Sequence, residues 1–162
     1  MRLLVISVLL IFLIFASGIG LAKEWRGIVP LKSTRADVER LLGANKKHHI
    51  VAYHVKGDVV SVVYSTGMCS SSDSEWNVPA DIVTGIEISL KDVKELSSLP
   101  IDLRKFERVR GDSDLPNHNF YINREEGFQI EVQDFKDGRG ELVTGYVYGP
   151  TLKDKSLKCS QR

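Results

Sequence analysis

Two β-rich runs, His49-Ile50-Val51-Ala52-Tyr53-His54-Val55 and Val59-Val60-Ser61-Val62-Val63-Tyr64, stand on either side of Lys56-Gly57-Asp58. Branched and aromatic side chains suit a pleated surface, and a glycine between them supplies the positive φ of a tight turn. The pair therefore reads as an antiparallel hairpin. A two-stranded hairpin is marginal in water, so it needs more strands and a cover for its apolar face. Ile82-Val83-Thr84-Gly85-Ile86-Glu87-Ile88 offers a third strand, after a polar, Ser-rich segment over 65–79. Ahead of the hairpin, the stretch Pro30 to Gly43 predicts one short helix. Thr34 is placed to cap it with Asp37 three residues on, Val38, Leu41 and Leu42 form an apolar stripe, and Gly43 ends it.

The second half has a similar order. Asp102 precedes Leu103, Phe106 and Val109 at helical spacing, which predicts a second short helix. Asn119–Ile122 and Phe128–Val132 flank Arg124-Glu125-Glu126-Gly127 as a second hairpin, and Val143-Thr144-Gly145 echoes Val83-Thr84-Gly85. From proline to tripeptide the spacing is 53 residues in the first half and 43 in the second, the longer half holding the Ser-rich segment. The expected class is α+β, a single domain over 23–162 in which short helices pack on one face of an antiparallel sheet. It is built either from two diverged helix-hairpin-strand repeats over 28–90 and 96–150 or as one sheet without duplication.

Arg2 precedes an uncharged run from Leu3 to Ala22 that is aliphatic as far as Phe15 and then small, with Gly20 and Ala22 at the −3 and −1 positions of a cleavage site. That order predicts a signal peptide over 1–22, a secreted or periplasmic protein, and no stable membrane anchor after cleavage. An uncleaved anchor is the alternative, since the run is just long enough to span a bilayer; Lys23 and Arg26 argue against it. In an oxidising compartment the two cysteines, Cys69 and Cys159, are expected to pair. Without the leader the chain carries 21 positive and 21 negative groups, a balance that argues against nucleic acid as a partner.

Catalytic patterns fail one by one. His48 and His54 share a strand face about 20 Å apart and His49 points the other way, too dispersed with His118 for a zinc site. Asp112-Ser113-Asp114 opens like a calcium loop, but Asn117 and Asn123 stand where glycine and glutamate belong. The serines Ser70 to Ser74 lack an activating partner at a fixed spacing. Glu75, Asp81, Glu125 and Glu126 are carboxylates of the ordinary kind. No metal or cofactor is expected. Among the aromatics, Trp25, Tyr121, Tyr146 and Tyr148 fit a core, with Trp25, Tyr146 and Tyr148 also candidates for a contact surface. Trp76 differs because it lies in the polar segment between Cys69 and Pro79, where a disulfide would hold its ring toward a partner.

The segment Ile28 to Gly43, a proline and Thr-Arg-x-x-Val followed by a leucine pair and glycine, resembles the opening helix of SmpA/OmlA (BamE-like) domains. The resemblance implies an exported scaffold with helices on a small antiparallel sheet. The tandem order also resembles the β-lactamase inhibitor protein fold, which implies target binding across a concave sheet. Trp25-Arg26-Gly27-Ile28-Val29-Pro30-Leu31 is similar to the opening of a family of exported bacterial proteins. These features predict a noncatalytic interaction or scaffold domain whose partner is another extracytoplasmic protein. A small exported enzyme or ligand-binding domain, with a pocket between sheet and helices, is the alternative.

Overall fold

The computed structural model describes residues 22–69, 75–111, 117–135 and 140–160. The expected signal peptide over 1–22, except Ala22, lies outside them, as do the serines Ser70 to Ser74 and the Asp112-Ser113-Asp114 segment. Strand β1 (Ile50–Val55) and strand β2 (Asp58–Tyr64) form the first hairpin, closed at Val55 and Asp58. Lys56 and Gly57 both adopt positive φ in its turn, as the primed turns that match strand twist require. Strand β3 (Val83–Glu95) follows, then β4 (Glu107–Arg110), β5 (His118–Asn123), β6 (Phe128–Phe135) and β7 (Gly140–Tyr148). All join one antiparallel sheet in the order β1-β2-β3-β7-β6-β5-β4. The final strand thus returns to the centre and zips the two halves together.

Alternation gives the sheet two unlike faces. Val60, Val62, Ile86, Ile88, Phe128 and Ile130 all point to one side and are buried. Two clusters share that side: one gathers Ile28, Val38 and Tyr64 with β1 to β3, the other Leu96, Phe128, Ile130, Val132 and Val143. Tyr146 and Tyr148 border both and weld them, with Phe128 stacked on Tyr146 at 5.9 Å and tilted on Tyr148 at 4.9 Å. Such ring pairs add about 0.5–1.5 kcal/mol beyond area burial.

The expected α+β architecture with helices along one face is overturned. Among the described residues the sheet dominates, and the one α-helix is α1 (Arg35–Leu42). Its ends follow the residue chemistry: Thr34 and Asp37 form a reciprocal capping box, and the Gly43 amide closes on the Glu39 carbonyl. Arg35 fastens it to the sheet. This buried guanidinium pairs with Asp81 at 2.7 Å, donates to the His48 carbonyl at 2.9 Å and lies 3.8 Å from the Tyr64 ring centre. A buried cation is tolerable only when its donors are so engaged. The second expected helix is a 3-10 turn, Leu103–Lys105, followed by β4. Leu103 and Phe106 still reach the core, because three residues make one 3-10 turn. Beyond them Glu107 to Arg110 pairs with β5 and so covers the backbone edge of β5, which a helix at 107–110 would have left unpaired.

No helix-hairpin-strand unit therefore recurs, but the hairpin-and-strand halves match in register. Glu87 pairs with Val147 at the seam. On either side of it the ladders slip at corresponding points, between Val63 and Tyr64 and between Glu131 and Val132. At those slips the hydroxyls of Thr84 and Thr144 donate to the Val63 and Glu131 carbonyls, each at 3.3 Å. The result is a local twofold axis through the Glu87–Val147 pair.

One glycine tests this packing. Gly127 has φ +61, and a side chain there would run into the Gly149 carbonyl oxygen and stand 2.9 Å from that of Pro150. Gly140 has φ +71 but faces open space. Gly127→Ala is expected to cost about 2–4 kcal/mol and Gly140→Ala about 1 kcal/mol in urea unfolding.

Candidate functional site

The outer face of the sheet, opposite the core, carries one unbroken row across every strand: Glu107, Ile122, Gln129, Val147, Glu87, Ser61 and Ala52. The next row holds Phe120, Glu131, Gly145, Ser89 and Val59. These residues are half-buried or exposed except Gly145, so the outer face is a mixed surface of small, polar and aliphatic groups.

Over part of it lies the C-terminal segment. Leu152–Leu157 is a 3-10 helix started by a Thr151–Asp154 capping box and tied to the second hairpin through the Leu152 amide and the Arg124 carbonyl. Beyond it, Asn77 donates to the Leu157 carbonyl at 2.7 Å and Cys159 to the Glu75 carbonyl at 2.9 Å, with Trp76 bridged to Lys158 between them. A disulfide joins Cys69 to Cys159, whose Cα atoms are 5.5 Å apart. Trp76 is thus held at its backbone from both sides.

Two clefts meet at Trp76. A larger one, about 400 Å³, lies over β5 to β7 and is floored by Ile122, Gln129 and Val147, with Leu152, Arg124, Lys155 and Lys158 around it. A smaller one, about 340 Å³, lies over β1 to β3, lined by His49, Ile50, Val63, Thr84, Glu75 and Glu87. Trp76 borders both, and so do the two members of the seam pair, Val147 the first and Glu87 the second. The tryptophan therefore stands between the two clefts, beside the seam of the two halves.

Glu131 gives this face an unusual charge. Its carboxylate extends over Gly145, where an added Cβ would come within 2.9 Å of Oε2. Burial pushes its pKa up and the nearby Glu87 carboxylate pushes it further, while His118 and a hydrogen bond with Gln129 pull the other way. On the core side the Tyr121 hydroxyl is pushed up to about 12, by burial first and then by its 2.7 Å hydrogen bond to Glu141. That pair, with Arg108 and Asn119 also on Glu141, closes the end of the second core cluster.

The residues singled out from the sequence are divided between the faces. Trp76 lies on the outer side. Trp25, Tyr146 and Tyr148 lie on the other, packed against the core, so the four rings form no common surface. Nor do the carboxylates converge: Asp81 pairs with Arg35, Glu126 with Lys23 at 3.8 Å, and Glu75 borders the smaller cleft. His48, His49 and His54 are exposed and His118 half-buried, and among the described residues no three metal-ligating side chains cluster. Sequence reading missed Lys155, Lys158, Glu87 and Glu131. The alternation in Phe128-Gln129-Ile130-Glu131-Val132 does place Glu131 on the polar face; only the strand order reveals Glu87 beside it.

No protein-family model matches the chain, and no curated protein matches it. Among solved structures it is similar to a DUF4309 family protein (YjgB) from Bacillus subtilis, at 15% identity with a TM-score of 0.48, covering 82% of this chain and 88% of that one.

Two measurements follow from this geometry. Because the folded-state pKa of Glu131 is raised, its contribution favours folding below the unfolded value and is lost as pH rises through the folded one. Glu131→Gln should therefore raise Tm at about pH 7 and by much less at about pH 4, and Glu87→Gln should lower the Glu131 pKa read by NMR. The disulfide spans a sequence separation of 90, so Cys69→Ser with Cys159→Ser should lower stability by about 2–4 kcal/mol in urea.

Proposed function

We propose that this chain is an exported, noncatalytic interaction or scaffold domain that engages another extracytoplasmic protein across the outer sheet face around Trp76. The observation that carries this reading is the hold on Trp76, whose neighbours Glu75 and Asn77 are hydrogen-bonded to Cys159 and Leu157 of the C-terminal segment while Trp76 itself is bridged to Lys158, between two clefts on the outer face. An aromatic ring whose backbone is already ordered loses little entropy on binding, which is why such anchors dominate interface energies. The disulfide itself supports export to an oxidising compartment, secreted or periplasmic. A second reading, ligand binding, draws on the larger cleft, whose volume of about 400 Å³ suits a small molecule.

A photoreactive phenylalanine analogue placed at Trp76, and for comparison at Leu41, which is 52% exposed on α1, separates the readings in the exporting host. A discrete protein adduct from position 76 and none from position 41 is expected. No adduct at 76, or equal adducts at both positions, would overturn the protein-partner reading.

A further inference from the structure

We infer that the outer face takes an extended polypeptide segment that is acidic at one end and basic at the other, laid across the strands with its middle under Trp76. This rests on the interaction reading above and gives that site its partner chemistry. The two clefts are opposite in charge. Every ionisable group lining the larger one is cationic, Arg124, Lys155 and Lys158, whereas the smaller is lined by Glu75, Glu87 and the imidazole of His49. Arg124 is already engaged with Glu107 at 3.2 Å. Among the described residues Lys155, Lys158, Glu75 and Glu87 have no ion pair. Both arms therefore hold charge that no described residue pairs, and a segment of matching polarity would supply the partners.

The geometry sets the spacing. The larger cleft centres on β6 and the smaller on β2, with β7 and β3 between them. Three strand spacings amount to roughly 14 Å, which an extended chain covers in about four to five residues. A segment crossing the strands makes no ladder hydrogen bonds with them, so its affinity comes from the ring, the aliphatic floor of Ile122 and Val147, and the charges at either end. A uniformly anionic polymer fits the cationic arm alone. Continued past Trp76, it would meet Glu75 and Glu87 and be repelled. That favours a dipolar polypeptide over an acidic glycan or nucleic acid.

The probe is an array of synthetic nine-residue peptides of one composition, two aspartates, two lysines and an apolar remainder, with the order permuted, read against the full disulfide-bonded chain. Peptides whose acidic and basic pairs are separated by four or five residues are expected to bind at least about tenfold tighter than peptides with alternating charges, with affinity falling as salt rises. Lys155→Ala with Lys158→Ala, and separately Glu75→Ala with Glu87→Ala, should each abolish most of that preference, the lysine pair leaving Tm unchanged and the glutamate pair not lowering it, since loss of Glu87 relieves its repulsion of Glu131. Trp76→Ala should weaken every peptide. Trp76-dependent binding that ignores charge order overturns the dipolar inference and leaves the interaction site standing. Binding indifferent to Trp76→Ala overturns both. Tighter binding of uniformly acidic peptides or of polygalacturonate, or no peptide binding at about 1 mM, overturns the dipolar segment.

Discussion

The ladder between β3 and β7 is the constraint on which the rest of this molecule depends. Each half of the chain makes its own antiparallel run, and neither run alone has both edges protected. Pairing Ile86 with Tyr148 and Ile88 with Tyr146 converts the inner edge of each half into the centre of one sheet. The same pairing places the two tyrosines between the core clusters. Gly145 contributes through absence of bulk: a Cβ there would press within 2.7 Å of the Ile88 carbonyl and onto Glu131. At the adjoining position in this register Glu87 meets Val147, and the two clefts take their floors from opposite sides of that pair.

What could be read from the chain was what neighbouring residues decide. The capping box of Thr34 and Asp37, the Gly43 stop and the Lys56-Gly57 turn are local chemistry, and each is found where the residues place it. The second helix failed for a physical reason. Leu103 and Phe106 satisfy a single 3-10 turn as well as an α-turn, and Val109, a β-branched residue between arginines, fits an edge strand beside β5 better than a helix. Likewise β3 runs on to Glu95, past the expected end at Ile88 and past Leu90, where the apolar alternation stops, because β7 takes it up again at Lys94 after a break in register. A long-range partner extended a strand that its own residues did not mark.

The site divides along the same line. Trp76 was legible as an aromatic in polar surroundings near a cysteine. Its setting was not, because Ile122, Val147 and Glu87 come together only through strands far apart in sequence, and Lys155 and Lys158 sit in a tail whose path over the sheet is set by the Cys69–Cys159 bond. Trp25, Tyr146 and Tyr148 show the converse. Alternating aromatics on a strand are ambiguous between core and contact surface until the covered face is known, and here Ile28, Val38 and the 96–106 segment cover theirs.

The outer face is covered only in part, and its polar side chains break up the apolar surface that is left. Strands that bury one side are prone to stack on a second sheet unless their other side resists it. Glu87, Gln129, Glu131, Ser61 and Ser89 interrupt the aliphatic surface left by Val59, Ile122 and Val147. Glu131 is the costly member of the set, since burial and the neighbouring Glu87 both oppose its ionised form. A valine, which occupies the register-equivalent position Val63 in the other half, would relieve that opposition but make the centre of the sheet face apolar. Retaining Glu131 above Gly145 with the Glu87 carboxylate nearby trades fold stability for charge in the middle of the sheet face, and under the proposed docking a partner would have to answer both the anionic and the cationic side of Trp76.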